Sequence, residues 1–253
     1  MRREDPIPLD SRCQILGWHH KYDILAIEKA PGVQTHKAAK GKACGRFLLQ
    51  SEYLEKEERY IWKCHTGKWQ SLYLVHRLDS PTSGVLLATT CEHWARSLRD
   101  SFKSRSIKKV YHAIVRTSVH SLPKIWKDQL LKRNKNNTVR VWKSNQGKSA
   151  ITHFRELKHI KSGAGSLSLI KLEPLTGRTH QLRVQCALRG CPIVGDKTYG
   201  DFALNRKLLK INGMDRLFLH ATKINFELKG PNGENADWEI ESPIPRAFLK
   251  IFA

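Results

Sequence analysis

Apolar residues recur along this chain in short runs and in helical spacings, separated by turn residues. Ile24, Leu25 and Ile27 predict a short strand, which Pro31 and Gly32 then turn. Residues 43–56 place Phe47, Leu48, Tyr53 and Leu54 at helical spacing and predict a helix. The stretch EKEERYIWKCHTGKWQ that follows reads as a polar connection with a turn at Gly67. SLYLVHRL and GVLLAT read as strands. Trp94, Leu98 and Phe102 give one apolar stripe to a helix over 91–103, with Thr90 as its cap and the aromatics in the core. VYHAIV and SLSLIKLEPLTG are further strands, and RTHQLRVQCALRG is a short helix capped by Thr179 and stopped at Gly190 and Pro192. FLHATKINFEL is a strand pattern broken near Lys223. Strands and helices alternate without the rhythm of βαβ repeats. The expected fold class is α+β, a mixed and largely antiparallel sheet with flanking helices. Residues 1–12 read as a loose lead-in and 13–253 as a single domain.

Charge changes this picture more than composition does. Hydrophobic residues make up 40% of the 253, enough for a core, yet the net charge is +22. Like charges repel in the compact state, so such an excess points to a polyanionic partner, with nucleic acid ahead of a membrane surface. Lys and Arg are spread from Arg2 to Lys250 within segments that also supply core residues, which suggests a basic face and not a tail. Residues 121–149 hold eight Lys or Arg against Asp128 alone, together with Trp126 and Trp142. This reads as a basic, hairpin-like excursion. Lys132, Arg133 and Lys135 are its candidate RNA contacts. The six cysteines contain no CxxC pair at zinc spacing and read as small buried residues, so no metal site is expected. The N-terminus has no apolar signal region, and no apolar run approaches the length of a membrane span. The expectation is a soluble, cytoplasmic protein with no membrane partner.

Two segments carry candidate chemistry. In YLVHRLDSPTSGVLLATT, Asp79 lies between two strands in a loop that Pro81, Gly84 and the hydroxyls of Ser80, Thr82 and Ser83 specify tightly. Such a loop on a rigid scaffold suits a reactive group, although an Asp can also simply close a turn. PLTGRTHQLR gathers Arg178, His180, Gln181 and Arg183, with His180 and Arg183 on one helical face. An arginine near Asp79 would keep its carboxylate ionised; a phosphate-binding helix start is the alternative.

These residues carry a resemblance. HRLDSPTSG resembles the signature of the RluA-type RNA pseudouridine synthases, TGRTHQLRV with GCPIVGDKTYG resembles that family's second block, and KKVYHAIV matches its K-x-Y element. ILAIEKAPGVQTH and ESPIPRAF are similar to its opening and closing segments, so the resemblance runs from about residue 13 to 250. It implies a pseudouridine synthase catalytic domain that isomerises uridine in tRNA or rRNA, without metal, nucleotide or organic cofactor. By this resemblance Asp79 is the catalytic aspartate, acting as nucleophile or as base at the sugar. Tyr111 packs on the target uracil and is a candidate for taking its C5 proton. Arg183 pairs with the catalytic Asp, and Arg77 fills the gap left by the flipped nucleotide. His76, Arg178 and His180 join the substrate-binding set, and Leu182 and Leu219 wall the uracil pocket. The family pattern begins so close to Met1 that no separate N-terminal RNA-binding module is expected, and RNA grip falls to the catalytic domain. EKAPGV has one residue more than the family's Lys-Pro-Gly turn. The compact build and HRLDSPTSGVLL resemble the tRNA-acting TruC-type subgroup, and a monomer is expected. Two other classes compete: a catalytically inactive RNA-binding or RNA-chaperone protein of the same fold, and a glycoside or nucleoside hydrolase using Asp79. The second needs another working carboxylate, and Asp196 and Asp201 look structural.

Overall fold

A computed structural model describes residues 6–36, 45–117, 122–135, 138–162, 165–213, 215–229 and 235–251. The chain packs as two compact units. The first comprises Met1–Ile107 with Ile224–Ser242, and the second Lys108–Lys223 with Pro243–Ala253. The stretch expected as one domain, 13–253, is divided between these two units.

In the first unit the strands are β1 (Gln14–His19), β2 (Ile24–Lys29), β3 (Val33–Gln34), β4 (Arg46–Phe47), β5 (Glu52–Leu54), β6 (Arg59–Lys63), β7 (Trp69–Leu74) and β8 (Ser83–Thr89), followed by helix α1 (Glu92–Ser104). β2 pairs antiparallel with β1 and β8, and β5, β6, β7 and β8 pair antiparallel in succession. β3 and β4 form a short parallel pair. Trp94 and Leu98 of α1 are buried against Ile24, Val85 and Leu87, as the apolar stripe requires, and Phe102 packs beside them. Each buried side chain of this size contributes about 1.5–3 kcal/mol.

The second unit begins with β9 (Lys108–Arg116), β10 (Ile125–Lys135), β11 (Thr138–Lys143), β12 (Lys148–Ser162) and β13 (Gly165–Pro174). β10 pairs antiparallel with β11 and β12, β12 with β13, and β13 with β9. Helices α2 (Gln181–Leu188) and α3 (Phe202–Asn212) follow, then β14 (Leu219–Lys229), β15 (Asn235–Glu241) and α4 (Arg246–Lys250). β14 passes from the second unit into the first after Lys223, and β15 pairs with it. The second core gathers Ala113, Ile114, Trp126, Leu172, Leu182, Phe218 and Phe248. The fold is therefore α+β on a mostly antiparallel sheet. Among the described residues, no helix is long and apolar enough to cross a membrane.

Several expected elements differ. Residues 45–56 of the helix expected over 43–56 form β4 and β5; 43 and 44 lie outside the described residues. Gly45 stands at φ +124°, and Phe47, Leu48 and Leu49 are all buried in succession, which one helix face cannot do. The polar connection contains β6, where Tyr60 is buried and bonds Thr35 O through its hydroxyl at 3.0 Å. Thr89, not Thr90, serves the start of α1: its Oγ1 accepts from Cys91 N at 3.1 Å, while Thr90 N donates to Asp23 O. Thr179 does not cap α2, because His180 is the N-cap at φ +51° and no side chain caps that end. β14 runs unbroken through Lys223. The lead-in is tied down at its end: Asp10 is buried, bonded to Arg12 and Arg46, and its N–H donates to Leu48 O at 2.9 Å.

Candidate active site

The first unit carries Asp79 at the end of a short path from β7. Leu78 is buried, Asp79 is half-buried and Arg77 is exposed. The loop is closed locally by Thr82 N donating to Asp79 O at 3.0 Å. It is tied at Ser80, whose carbonyl accepts from Gly32 N at 2.8 Å and from Lys29 Nζ at 3.0 Å. Lys29 is wholly buried and also donates to Val33 O at 2.8 Å and Ala30 O at 3.0 Å. A buried ammonium is tolerated only when its donors are satisfied. Here they bind the β2–β3 turn to the Asp79 loop. Gly32, at φ +82°, supplies the turn that brings its N–H to Ser80. His76 is held as well: its Nε2 accepts from Leu87 N at 2.8 Å and its ring stacks on Phe102 at 4.5 Å.

His36 and Tyr53 stand near Arg77, their ring centroids 5.9 Å apart, and sequence reasoning did not single them out. Burial, then the Arg77 charge, lowers the His36 imidazole from 6.5 to about 4. Burial, then Glu58, pushes the Tyr53 hydroxyl up to about 12. Both rings are therefore neutral at physiological pH, beside an exposed guanidinium.

The second unit carries the other expected residues. Tyr111 on β9 is half-buried opposite Leu172 and packs against the core that contains Leu182 and Leu219, so these three meet in one cluster. α2 is fastened to the sheet by two buried glutamines one turn apart. Gln181 Nε2 donates to Ile151 O and Thr152 Oγ1, at 3.1 and 2.9 Å, and Gln185 Nε2 donates to Asp128 Oδ2 at 2.7 Å. Asp128, the lone acid of the basic stretch, also pairs with Arg189 at 2.9 Å. This helix presents Arg183, which is buried and gripped by Asp196 through Nε–Oδ2 at 2.7 Å and Nη2–Oδ1 at 2.8 Å. Burial alone would raise the Asp196 carboxyl, but Arg183 and the Tyr199 and Thr198 N–H groups hold it below its ordinary value. Tyr199 completes the lock. Its ring lies 5.3 Å from the Arg183 guanidinium carbon, and its hydroxyl meets His180 Nδ1 at 2.9 Å and Val141 N at 2.9 Å. His180 and Arg183 thus converge on Tyr199, as their shared face suggested. Arg178 Nε donates to Ser149 O at 3.0 Å.

Lys132 and Arg133 are exposed on β10; the side chain of Lys135 and residues 136–137 lie outside the described residues. Trp126 is fully buried, stacked on Phe154 at 4.8 Å and covered by Arg189 at 4.7 Å, so it is core and not an RNA platform. Asp201 caps α3 through Leu204 N at 2.9 Å and pairs with Arg116 at 2.6 Å. Asp196 and Asp201 are both occupied by these bonds.

Replacing Lys29 by Met takes one donor from each of three carbonyls, of which Ser80 O and Ala30 O keep a backbone N–H. The variant should lose about 1–3 kcal/mol, read as a lower urea midpoint at unchanged slope. A midpoint equal to wild type would remove Lys29 as the anchor of the Asp79 loop. His36 sets a pH dependence. The unfolded chain takes up its proton near 6.5 and the folded chain only near 4, so the unfolded state binds more protons in between. Stability should therefore fall as pH drops from about 6.5 towards 4, with His112, also lowered by burial and then Lys171, adding the same sign. His36→Gln should flatten the curve over that window; an identical curve would contradict the burial of a neutral His36.

The model of the RNA pseudouridylate synthase family matches residues 23–188. The chain is 37% identical over 181 residues to the ribosomal large subunit pseudouridine synthase C of Vibrio parahaemolyticus, covering 71% of this chain and 54% of that protein. It is 40% identical over 181 residues to the protein of the same name from Pasteurella multocida, covering 71% and 53%. The chain spans about half the length of these relatives. Among solved structures, human RNA pseudouridylate synthase domain containing 1 superposes with a TM-score of 0.59 at 26% identity, covering 91% of this chain and 83% of that one. Human RNA pseudouridylate synthase domain containing 4 gives 0.62 at 23%, covering 93% and 90%, and supports the fold. With HRLDSPTSG and TGRTHQLRV inside the matched region, the chain belongs to the RNA pseudouridylate synthase family, of the RluA type.

Proposed function

We propose that this chain isomerises uridine in RNA to pseudouridine, with Asp79 as the reacting carboxylate. The observation that carries this reading is the Asp79 loop. In a chain of +22 net charge, one half-buried acid stands in a family motif, on a loop held at Ser80 by a buried lysine. Asp79 attacks the sugar or acts on it as a base; both routes need an ionised carboxylate in a site closed to water. The glycosidic C1′–N1 bond breaks, the uracil turns, and C5 bonds to C1′. The C5 proton then leaves and N1 is protonated, so the product is an isomer. Tyr111 supplies a ring for the flipped uracil and a hydroxyl for the C5 proton. Arg183, aimed by Asp196 and Tyr199, supports the carboxylate charge, and Arg77 takes the vacated stack. Leu182 and Leu219 wall the base, and both units act as one catalytic domain. The relatives are named for the large ribosomal subunit, which favours ribosomal RNA; transfer RNA is the other outcome of a substrate screen.

Asp79→Asn keeps the shape of the side chain and removes its charge. Release of tritium from uracil C5 should fall by about 10³-fold or more with RNA affinity retained. Turnover within tenfold of wild type would take Asp79 out of the mechanism, and a wild-type protein that binds RNA but releases no tritium would favour the inactive RNA-binding alternative. Tyr111→Phe keeps the ring and removes only the hydroxyl. C5 tritium release should slow by about 10²-fold, the range for a positioned base, while RNA still binds. Near-normal release by the Phe variant, with Tyr111→Ala losing both binding and rate, would restrict Tyr111 to stacking.

A further inference from the structure

The β10–β11 hairpin opposes two positive charges. Its register sets Arg133 directly across from Arg140, and both are exposed. Directly opposed side chains of a sheet stand within contact range, and like charges there destabilise the pair. Asp128, the one acid between residues 121 and 149, does not relieve them. It shares the parity of the buried Trp126 and Leu130 and is engaged by Arg189 and Gln185. Among the described residues, neither Arg133 nor Arg140 meets a carboxylate.

Trp142 lies two residues beyond Arg140 and so on the same face. Trp142 is 37% exposed, and the Arg133 guanidinium carbon stands 5.9 Å from its ring centroid. The base of the hairpin is tied by close contacts. The β11–β12 connection folds back on β10 with Ser144 N donating to Gln129 O at 3.0 Å, and a side chain at Gly147 would meet Leu130 N at 2.5 Å. Val141, of the opposite parity, is buried and fixed by the Tyr199 hydroxyl.

We propose that Arg133, Arg140 and Trp142 form a docking site for a single-stranded RNA segment flanking the target uridine. One phosphate bridges the two guanidinium groups and turns their repulsion into attraction, and an adjacent base stacks on Trp142. The site rests on the function proposed above and deepens it. Its parity is opposite to that of Leu130 and Val141, which pack with Val184 of α2, so it takes flanking RNA and not the reacting nucleotide. An anionic membrane would meet the charges equally well but gains nothing specific from a stacking ring held between them.

Arg140→Gln in the full chain gives two readouts of opposite sign. The melting temperature of the free protein should rise, more at low salt than at high, because the relieved repulsion is screened by salt. Binding to a fluorescein-labelled single-stranded oligouridylate should weaken, and its log–log salt slope should shrink by about 0.7. Trp142→Phe should bind as wild type, whereas Trp142→Ala should lose about tenfold or more in affinity. A lower melting temperature with an unmoved slope, full affinity in Trp142→Ala, or loss of binding only to phosphatidylserine vesicles would each overturn the site. If the wild-type protein releases no tritium but these shifts appear, the proposed activity fails and the RNA site stands. If tritium is released and the slope does not move, the site alone fails.

Discussion

A buried ammonium holds the centre of the first unit. Lys29 Nζ donates to the carbonyls of Ala30, Val33 and Ser80, so one side chain joins the turn after β2 to the loop that carries Asp79. A charge removed from water must be fully bonded or the fold loses several kcal/mol. That requirement makes the geometry of the loop a condition of folding and not an afterthought. It places Asp79 between a buried Leu78 and an anchored Ser80, while Arg77 is left exposed. The second unit uses the same device with the signs reversed. Buried Asp196 grips Arg183 in two bonds, and the Tyr199 ring backs the guanidinium. In each unit a buried charge fastens the segment that carries a residue the proposed function uses.

The division of labour among the acids follows from the same rule. In a chain this basic, carboxylates are outnumbered, and three of those in the second unit are tied up in bonds. Asp128 fastens the basic hairpin to α2, Asp196 aims Arg183, and Asp201 caps α3 while pairing with Arg116. None of these offers the second working carboxylate that a glycoside hydrolase requires. The basic hairpin, by contrast, carries opposed arginines that, among the described residues, meet no carboxylate, which is the arrangement expected of a surface completed by a polyanion.

The strands β2, β7, β8, β9 and β13 were legible as apolar runs bounded by turn residues, and α1 as a stripe of Trp94, Leu98 and Phe102. The motif around Asp79 and the block around Arg183 were legible because their order and spacing are specific. What stayed hidden depended on burial. Lys29 reads in sequence as one more surface cation, and Asp196 as one more turn acid; only their bonds show otherwise. Residues 45–56 mimic helical spacing, yet Phe47, Leu48 and Leu49 are buried in succession. β12 was missed because its middle, Arg155–His159, is exposed and charged and shows no alternation. α3 carried a signal that could have found it: Asp201 as N-cap, Gly213 as C-cap, and Leu204 and Leu208 one turn apart.

The central claim is that this family member modifies uridine in cellular RNA. Pseudouridine mapping across total RNA, from cells with and without this protein, tests it most directly. The account predicts that one or a few uridines, in large-subunit ribosomal RNA, carry pseudouridine only when the protein is present. Identical maps in the two cell lines, at full coverage of ribosomal and transfer RNA, would contradict it.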